Sequence, residues 1–110
     1  MVTASVDKNA RNQVAFREVN ERIAELTNEW RQTDMSLFVC ECSDTTCAES
    51  LEISPAEYEE VRADGARFVI CRGHDIPEVE RVVAGNGRFI VVEKIGPAGT
   101  IARDADPRHD

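Results

Sequence analysis

The sequence predicts an α+β fold: an N-terminal amphipathic helix and a second short helix packed on a small, mostly antiparallel sheet, with one structural metal site. Three observations lead there. Phe16, Val19, Ile23, Leu26 and Trp30 recur at alternating steps of three and four, the spacing of a helix face. Behind them come short runs of period-two alternation divided by turn residues, among them Asn86-Gly87, the strongest short hairpin signal. Finally, three of the four cysteines fall within eight positions of the run FVCECSDTTC, residues 38–47.

The elements follow in order. Residues 1–8 have no periodicity and are expected as a flexible N-terminus, so the folded domain is assigned to residues 9–95. The first helix should run from about Asn9 to Arg31, with Glu18 and Arg22 paired one turn apart. Its apolar stripe covers about two heptads, short of a coiled coil. It is expected to dock on the chain's own sheet, and the alternative is a homodimer formed through this helix.

Ser36 to Cys42 alternates as a strand, with Phe38, Cys40 and Cys42 on one face and Leu37, Val39 and Glu41 on the other. Ser50 to Ile53 reads as a second short strand. SPAE then starts a helix: Ser54 caps, Pro55 suits the first position, and Glu57 closes a capping box. This helix should run to Asp64 and stop at Gly65, with Tyr58 and Val61 inward and Glu59, Glu60 and Asp64 outward.

Arg67 to Arg72 reads as a strand, followed by a Gly-His-Asp turn and by Pro77, which interrupts pairing. Val79 to Val83 and Arg88 to Ile95 flank Asn86-Gly87 as a hairpin. Residues 96–110 mix Gly, Pro and charge with few apolar groups and are expected as a mobile tail that gives His109 no role.

Composition narrows the function classes. The net charge of -8 is carried largely between Glu41 and Asp64, where eight acidic residues face Arg62 alone. With no Lys/Arg run, neither nucleic acid nor an anionic membrane is expected as a partner. The N-terminal residues lack the apolar run of a signal peptide, and no stretch approaches the roughly 20 apolar residues of a membrane span. A soluble, cytoplasmic protein is expected, and in a reducing cytosol clustered cysteines more often bind metal than form disulfides.

Cys40, Cys42 and Cys47 are spaced C-x-C-x4-C, and Cys71 and His74 follow after 23 intervening residues. Five candidates exceed the four that a tetrahedral zinc takes. The preferred set is Cys40, Cys42, Cys47 and His74, with Cys71 as the alternative fourth ligand. An all-cysteine set would also suit an iron-sulfur cluster, and the histidine favours Zn2+. Free reactive thiolates are disfavoured by the anionic neighbours Glu41, Asp44 and Glu49, whereas a bound cation would reverse that effect.

The runs FREVNERIAELTNEW, FVCECSDTTC, EYEEVRAD, RFVICRGHDIPEVERVV and VVEK together resemble an uncharacterised family of small bacterial proteins found mainly in actinobacteria, over about residues 16–95. In that family FVCEC precedes a third cysteine and a Pro-Gly-His-Glu stretch, matched here by Arg72-Gly73-His74-Asp75. Arg72 and Asp75 depart from the usual proline and glutamate, and Cys71 falls where the pattern is open. The resemblance implies Cys40, Cys42, Cys47 and His74 as the recurring ligand-capable residues. It carries no activity.

Three thiolates blunt a metal's acidity, and four protein ligands leave no place for water, so a closed structural site is expected. No Ser-His-Asp spacing, phosphate loop or dinucleotide fingerprint appears. The functional expectation is therefore a zinc-binding interaction or regulatory module whose partner is another protein, with no catalytic residues. One alternative is a redox sensor that releases zinc on oxidation. The other is a metal-dependent hydrolase using Glu41 or Glu49.

Overall fold

The computed structural model describes residues 2–27, 35–42, 44, 46–47 and 49–108, with side chains from Asn12 to Leu26 in the first helix. Among these residues lie three helices and two antiparallel sheets, an α+β arrangement. Helix α1 spans Val2–Thr27 and so starts within the segment expected to be flexible. Its expected end at Arg31 and the stripe residue Trp30 lie outside the described residues.

The fully buried face of α1 is not the apolar stripe, of which Ile23 alone packs against the core among the described residues. Gln13, Arg17, Asn20 and Ala24 are buried at the same helical spacing, while Val19 is 47% and Leu26 64% exposed. Phe16 and Ile23 are half-buried. A polar face can go inward only if its groups are satisfied there. Arg17 donates to the carbonyl oxygens of Gly65 at 2.6 Å and Ala102 at 3.0 Å, and its guanidinium lies 4.5 Å from the Phe68 ring centre. On the outer surface, Arg22 pairs with Glu25 at 3.6 Å.

Strands β1 (Ser36–Val39) and β2 (Ser50–Ile53) form one sheet. Strands β3 (Arg67–Ile70), β4 (Glu80–Gly85) and β5 (Ile90–Lys94) form the other, with β5 central. The predicted strand 36–42 is thus shorter, because the chain changes partner. The Cys40 N–H still reaches Glu49 of the β2 side at 3.1 Å, but the Glu41 N–H turns to the Val69 carbonyl of β3 at 2.9 Å.

That crossing separates Phe38 from the cysteines, contrary to the alternation argument. Phe38 packs with Leu51, Ile53, Tyr58, Val69 and Val91, whereas Cys40 and Cys42 pack with Phe68, Ile70, Ile90, Val92 and Ala102. The two clusters lie on opposite faces of the β3–β5 pair: Phe68 and Ile70 oppose Val92 and Ile90, while Val69 opposes Val91. Both faces of that ladder are therefore covered.

Helix α2 (Pro55–Val61) carries the expected capping box, with Glu57 N–H donating to Ser54 Oγ and Ser54 N–H donating to Glu57 Oε1. Tyr58 and Val61 are buried as read. The helix ends earlier than Asp64, and Gly65 is not its left-handed cap, since the positive-φ glycines are Gly73 and Gly96. Gly65 serves close approach: a Cβ there would stand 2.6 Å from Asp106 Oδ2.

The β4–β5 hairpin forms as expected, with a bulge between Val82 and Ala84. Its turn does not use positive φ at Asn86. Instead the Asn86 side-chain oxygen accepts from the Arg88 and Phe89 N–H groups at 2.7 and 3.2 Å.

The segment 96–110, expected as a mobile tail, carries helix α3 (Gly96–Asp104), which buries Ala98, Gly99 and Ala102. Small residues let the helix lie close: a Cβ on Gly99 would meet the Lys94 carbonyl oxygen at 2.8 Å. Beyond it, Asp106 pairs with the buried Arg62, and Arg108 pairs with Glu21 at 3.0 Å and Glu59 at 2.7 Å. Few apolar residues sufficed because charges on α1 and α2 supply the anchor.

Candidate metal centre

The crossing from β2 to β3 puts Cys40 and Cys42, two residues apart, at the end of the sheet, both buried. Cys47 returns on a tight loop in which its N–H donates to the Asp44 carbonyl at 3.0 Å. The Asp44 carboxylate shapes that loop by accepting from the N–H and hydroxyl of Thr46 at 2.9 and 2.6 Å. These bonds, the hydroxyl's first, hold the Asp44 carboxyl below its usual range.

His74 arrives from the other side. Its N–H closes a turn on the Cys71 carbonyl at 3.1 Å, and Gly73 in the third position has φ 83°, a conformation suited to glycine. This turn brings His74 Nδ1 to 3.5 Å from Cys40 Sγ and 3.7 Å from Cys47 Sγ. The donor atoms of Cys40, Cys42, Cys47 and His74 all lie within 4.8 Å of one another.

Such a group could hold a metal ion. Ordinary zinc bond lengths at tetrahedral angles place sulfur and nitrogen ligands about 3.5 Å apart, close to the separations seen here. Burial pushes Cys40 and Cys42 up to about 12, and it raises Cys71 as well. A cation at the centre of the group would turn these thiols into thiolates and relieve that cost.

Cys71 is not part of the four-donor group. It is half-buried, and its backbone N–H donates to Cys40 Sγ at 3.2 Å. It stands beside the site as a neighbour that fixes one sulfur.

Glu41, between the two buried cysteines, sends its carboxylate away from them. Oε2 accepts from Asn20 Nδ2 at 2.8 Å and from the Tyr58 hydroxyl at 3.1 Å, and Oε1 accepts from Val69 N–H at 3.0 Å. Burial lifts this carboxyl to about 6, against the opposing pull of those donors. Burial, then the Glu41 and Glu21 charges, push the Tyr58 phenol upward too. A carboxylate so fully engaged joins elements and is not positioned to take a proton from a water in the thiol group. Glu49, the other carboxylate considered as a base, is exposed.

Sequence reasoning missed the polar core beside this site. Gln13, Arg17, Asn20, Glu80 and Lys94 have no role in the sequence reading, yet all five are buried. Lys94 Nζ lies 2.8 Å from Glu80 Oε2 with both side chains wholly buried, and Glu80 also accepts from Gln13 Nε2 and the Ile76 N–H. The one available signal was the 4-3-4 spacing of Gln13, Arg17, Asn20 and Ala24, which apolar periodicity does not score.

No family model matches the chain, and neither a curated protein nor a solved structure matches it. No helix is long and apolar enough to cross a membrane among the described residues.

Proposed function

We propose that Cys40, Cys42, Cys47 and His74 hold one zinc ion in a closed structural site, and that the domain is a cytoplasmic protein-interaction or regulatory module without catalytic activity. The approach of four soft or borderline donors to within 4.8 Å of one another carries this reading. Three cysteines with one histidine are a ligand set that structural zinc uses. The likeness of FVCEC and the Gly-His turn to a family of small bacterial proteins supports the same four residues. All four cysteines are free.

Zinc would supply cross-linking here, not chemistry. It would tie the loop after β1 to the turn after β3, two segments 24 or more residues apart in the chain, so its binding free energy would add to folding. An interaction role fits the exposed Val19 and Leu26 on α1, Leu37 on β1 and Met35 just before it, apolar groups on an otherwise acidic chain. The same α1 surface is where a second copy of the chain would bind.

Metal analysis of the purified protein tests the site. Zinc at one ion per chain that falls sharply in His74→Ala and persists in Cys71→Ser is expected. Retention by His74→Ala with loss in Cys71→Ser would move the fourth ligand to sulfur and defeat the assignment.

A further inference from the structure

Cys71 is the one thiol of the region that the four-donor group leaves out, and it touches that group through Cys40. Its N–H is 3.2 Å from Cys40 Sγ, and its own sulfur is three bonds from that nitrogen. Cys71 is also half-buried, packed against both core clusters, where Cys40 is 2% exposed, so Cys71 is the more exposed residue of the pair. His74 Nδ1 lies 3.5 Å from the same sulfur. Cys40 thus contacts both the histidine ligand and the residue that carries the spare thiol.

We propose that Cys40 and Cys71 form a peroxide-sensitive disulfide site that empties the metal centre, with Cys71 as the resolving thiol. This rests on the zinc reading above. Cys40, a thiolate when it serves as a ligand, and the Cys71 thiol together give two electrons to hydrogen peroxide. The S–S bond forms and the O–O bond breaks. One oxygen leaves as hydroxide and the other as water, which carries off the Cys71 proton. The sulfenic acid formed first on one sulfur is closed by attack of the other, expelling its oxygen.

The consequence follows from ligand count. A disulfide sulfur is a poor ligand, so oxidation leaves Cys42, Cys47 and His74, three donors in place of four, with one thiolate charge fewer, which weakens the hold on the metal and favours its release. Without Cys71, a sulfenic acid on Cys40 has no adjacent spare thiol, and its resolution would consume a second ligand or continue to irreversible acids.

The test uses the zinc-loaded full chain and its Cys71→Ala variant, which keeps all four proposed ligands. Each is treated with hydrogen peroxide while zinc release is read with a chromogenic chelator, and disulfides are then mapped by mass spectrometry. In the unsubstituted protein, zinc release should accompany a Cys40–Cys71 disulfide, and a thiol reductant should restore full binding. The variant should hold zinc before treatment and, once oxidised, carry either a disulfide between two of the ligand cysteines or an irreversible acid on Cys40. A disulfide between two ligand cysteines in the unsubstituted protein, in place of Cys40–Cys71, would overturn the proposal, as would zinc retained by the unsubstituted protein in excess peroxide. A protein that never binds zinc would instead refute the site itself.

Discussion

Asn20 and Val39 bond to each other as two neighbouring strand residues would. The Asn20 side-chain amide donates to the Val39 carbonyl at 2.8 Å, and the Val39 N–H donates back to Asn20 Oδ1 at 2.8 Å. Glu41 does the same for β3, giving its N–H to the Val69 carbonyl and taking the Val69 N–H on its carboxylate. Asn20 also donates to Glu41, so one buried amide and one buried carboxylate join α1, β1 and β3. The two small sheets therefore need no continuous strand pairing between them.

That geometry makes Asn20 the most sensitive polar position of α1. Asn20→Leu would leave the Val39 N–H without its partner and take a donor from the buried Glu41. The expected loss is roughly 2–4 kcal/mol, from about 1–3 kcal/mol for each stranded buried group. Urea unfolding with an unchanged m-value would measure it. A loss under about 0.5 kcal/mol would mean that the two sheets are held by apolar contacts alone.

How much of this was visible in the sequence depends on range. Ser54-Pro55-Ala56-Glu57 specifies its capping box within four residues, and Asn86-Gly87 its turn within a similar span, so both were readable. The cysteine cluster was readable because metal-binding chemistry needs few residue types and His74 has few competitors. The inward face of α1 was not, because Arg17 and Asn20 are buried by carbonyls that lie 48 and 19 residues away in the chain. Asp106 likewise finds Arg62 across 44 residues, and nothing local to the C-terminal segment announces that partner.

Removing the metal should weaken the fold where the metal would join distant segments. Excess chelator is expected to lower the melting temperature of the zinc-loaded protein and to make it depend on free zinc concentration, as linkage requires. At free zinc one hundred times its dissociation constant, the stabilisation is about 2.7 kcal/mol. Differential scanning calorimetry over a zinc series checks this. A melting temperature that ignores both zinc and chelator would reduce the four donors to a coincidence of packing.

Acid should undo the C-terminal anchor. Burial opposes ionisation of Asp106, but hydrogen bonds from Arg62 outweigh it and hold the carboxyl below the usual aspartate range. A carboxylate whose folded value is lowered adds stability above its unfolded value, near 3.9, and loses that contribution as pH falls through the lower folded value. Asp106→Asn should therefore cost about 2 kcal/mol at neutral pH, below the ~3–5 kcal/mol of a fully broken buried pair because Glu21 still neutralises Arg62. The gap between the two proteins should close below roughly pH 4. A gap that is constant with pH would show that the aspartate acts by packing and not by charge.

The outward stripe of α1 separates folding from association. Val19 and Leu26 are 47% and 64% exposed, so Val19→Gln with Leu26→Gln removes little buried area and should change stability by no more than about 0.5 kcal/mol per site. Ala24, one turn beyond Asn20 on the inward face, is 6% exposed, and Ala24→Gln there should cost about 1–3 kcal/mol by overpacking. Urea midpoints for the two variants give the comparison. Sedimentation velocity on the same samples then reads the second consequence: if two copies meet through this stripe, the double variant should run as a monomer at concentrations where the unsubstituted protein is a dimer. Unfolding of the double variant would place the stripe back in the core, and an inert Ala24→Gln would remove the polar face from it.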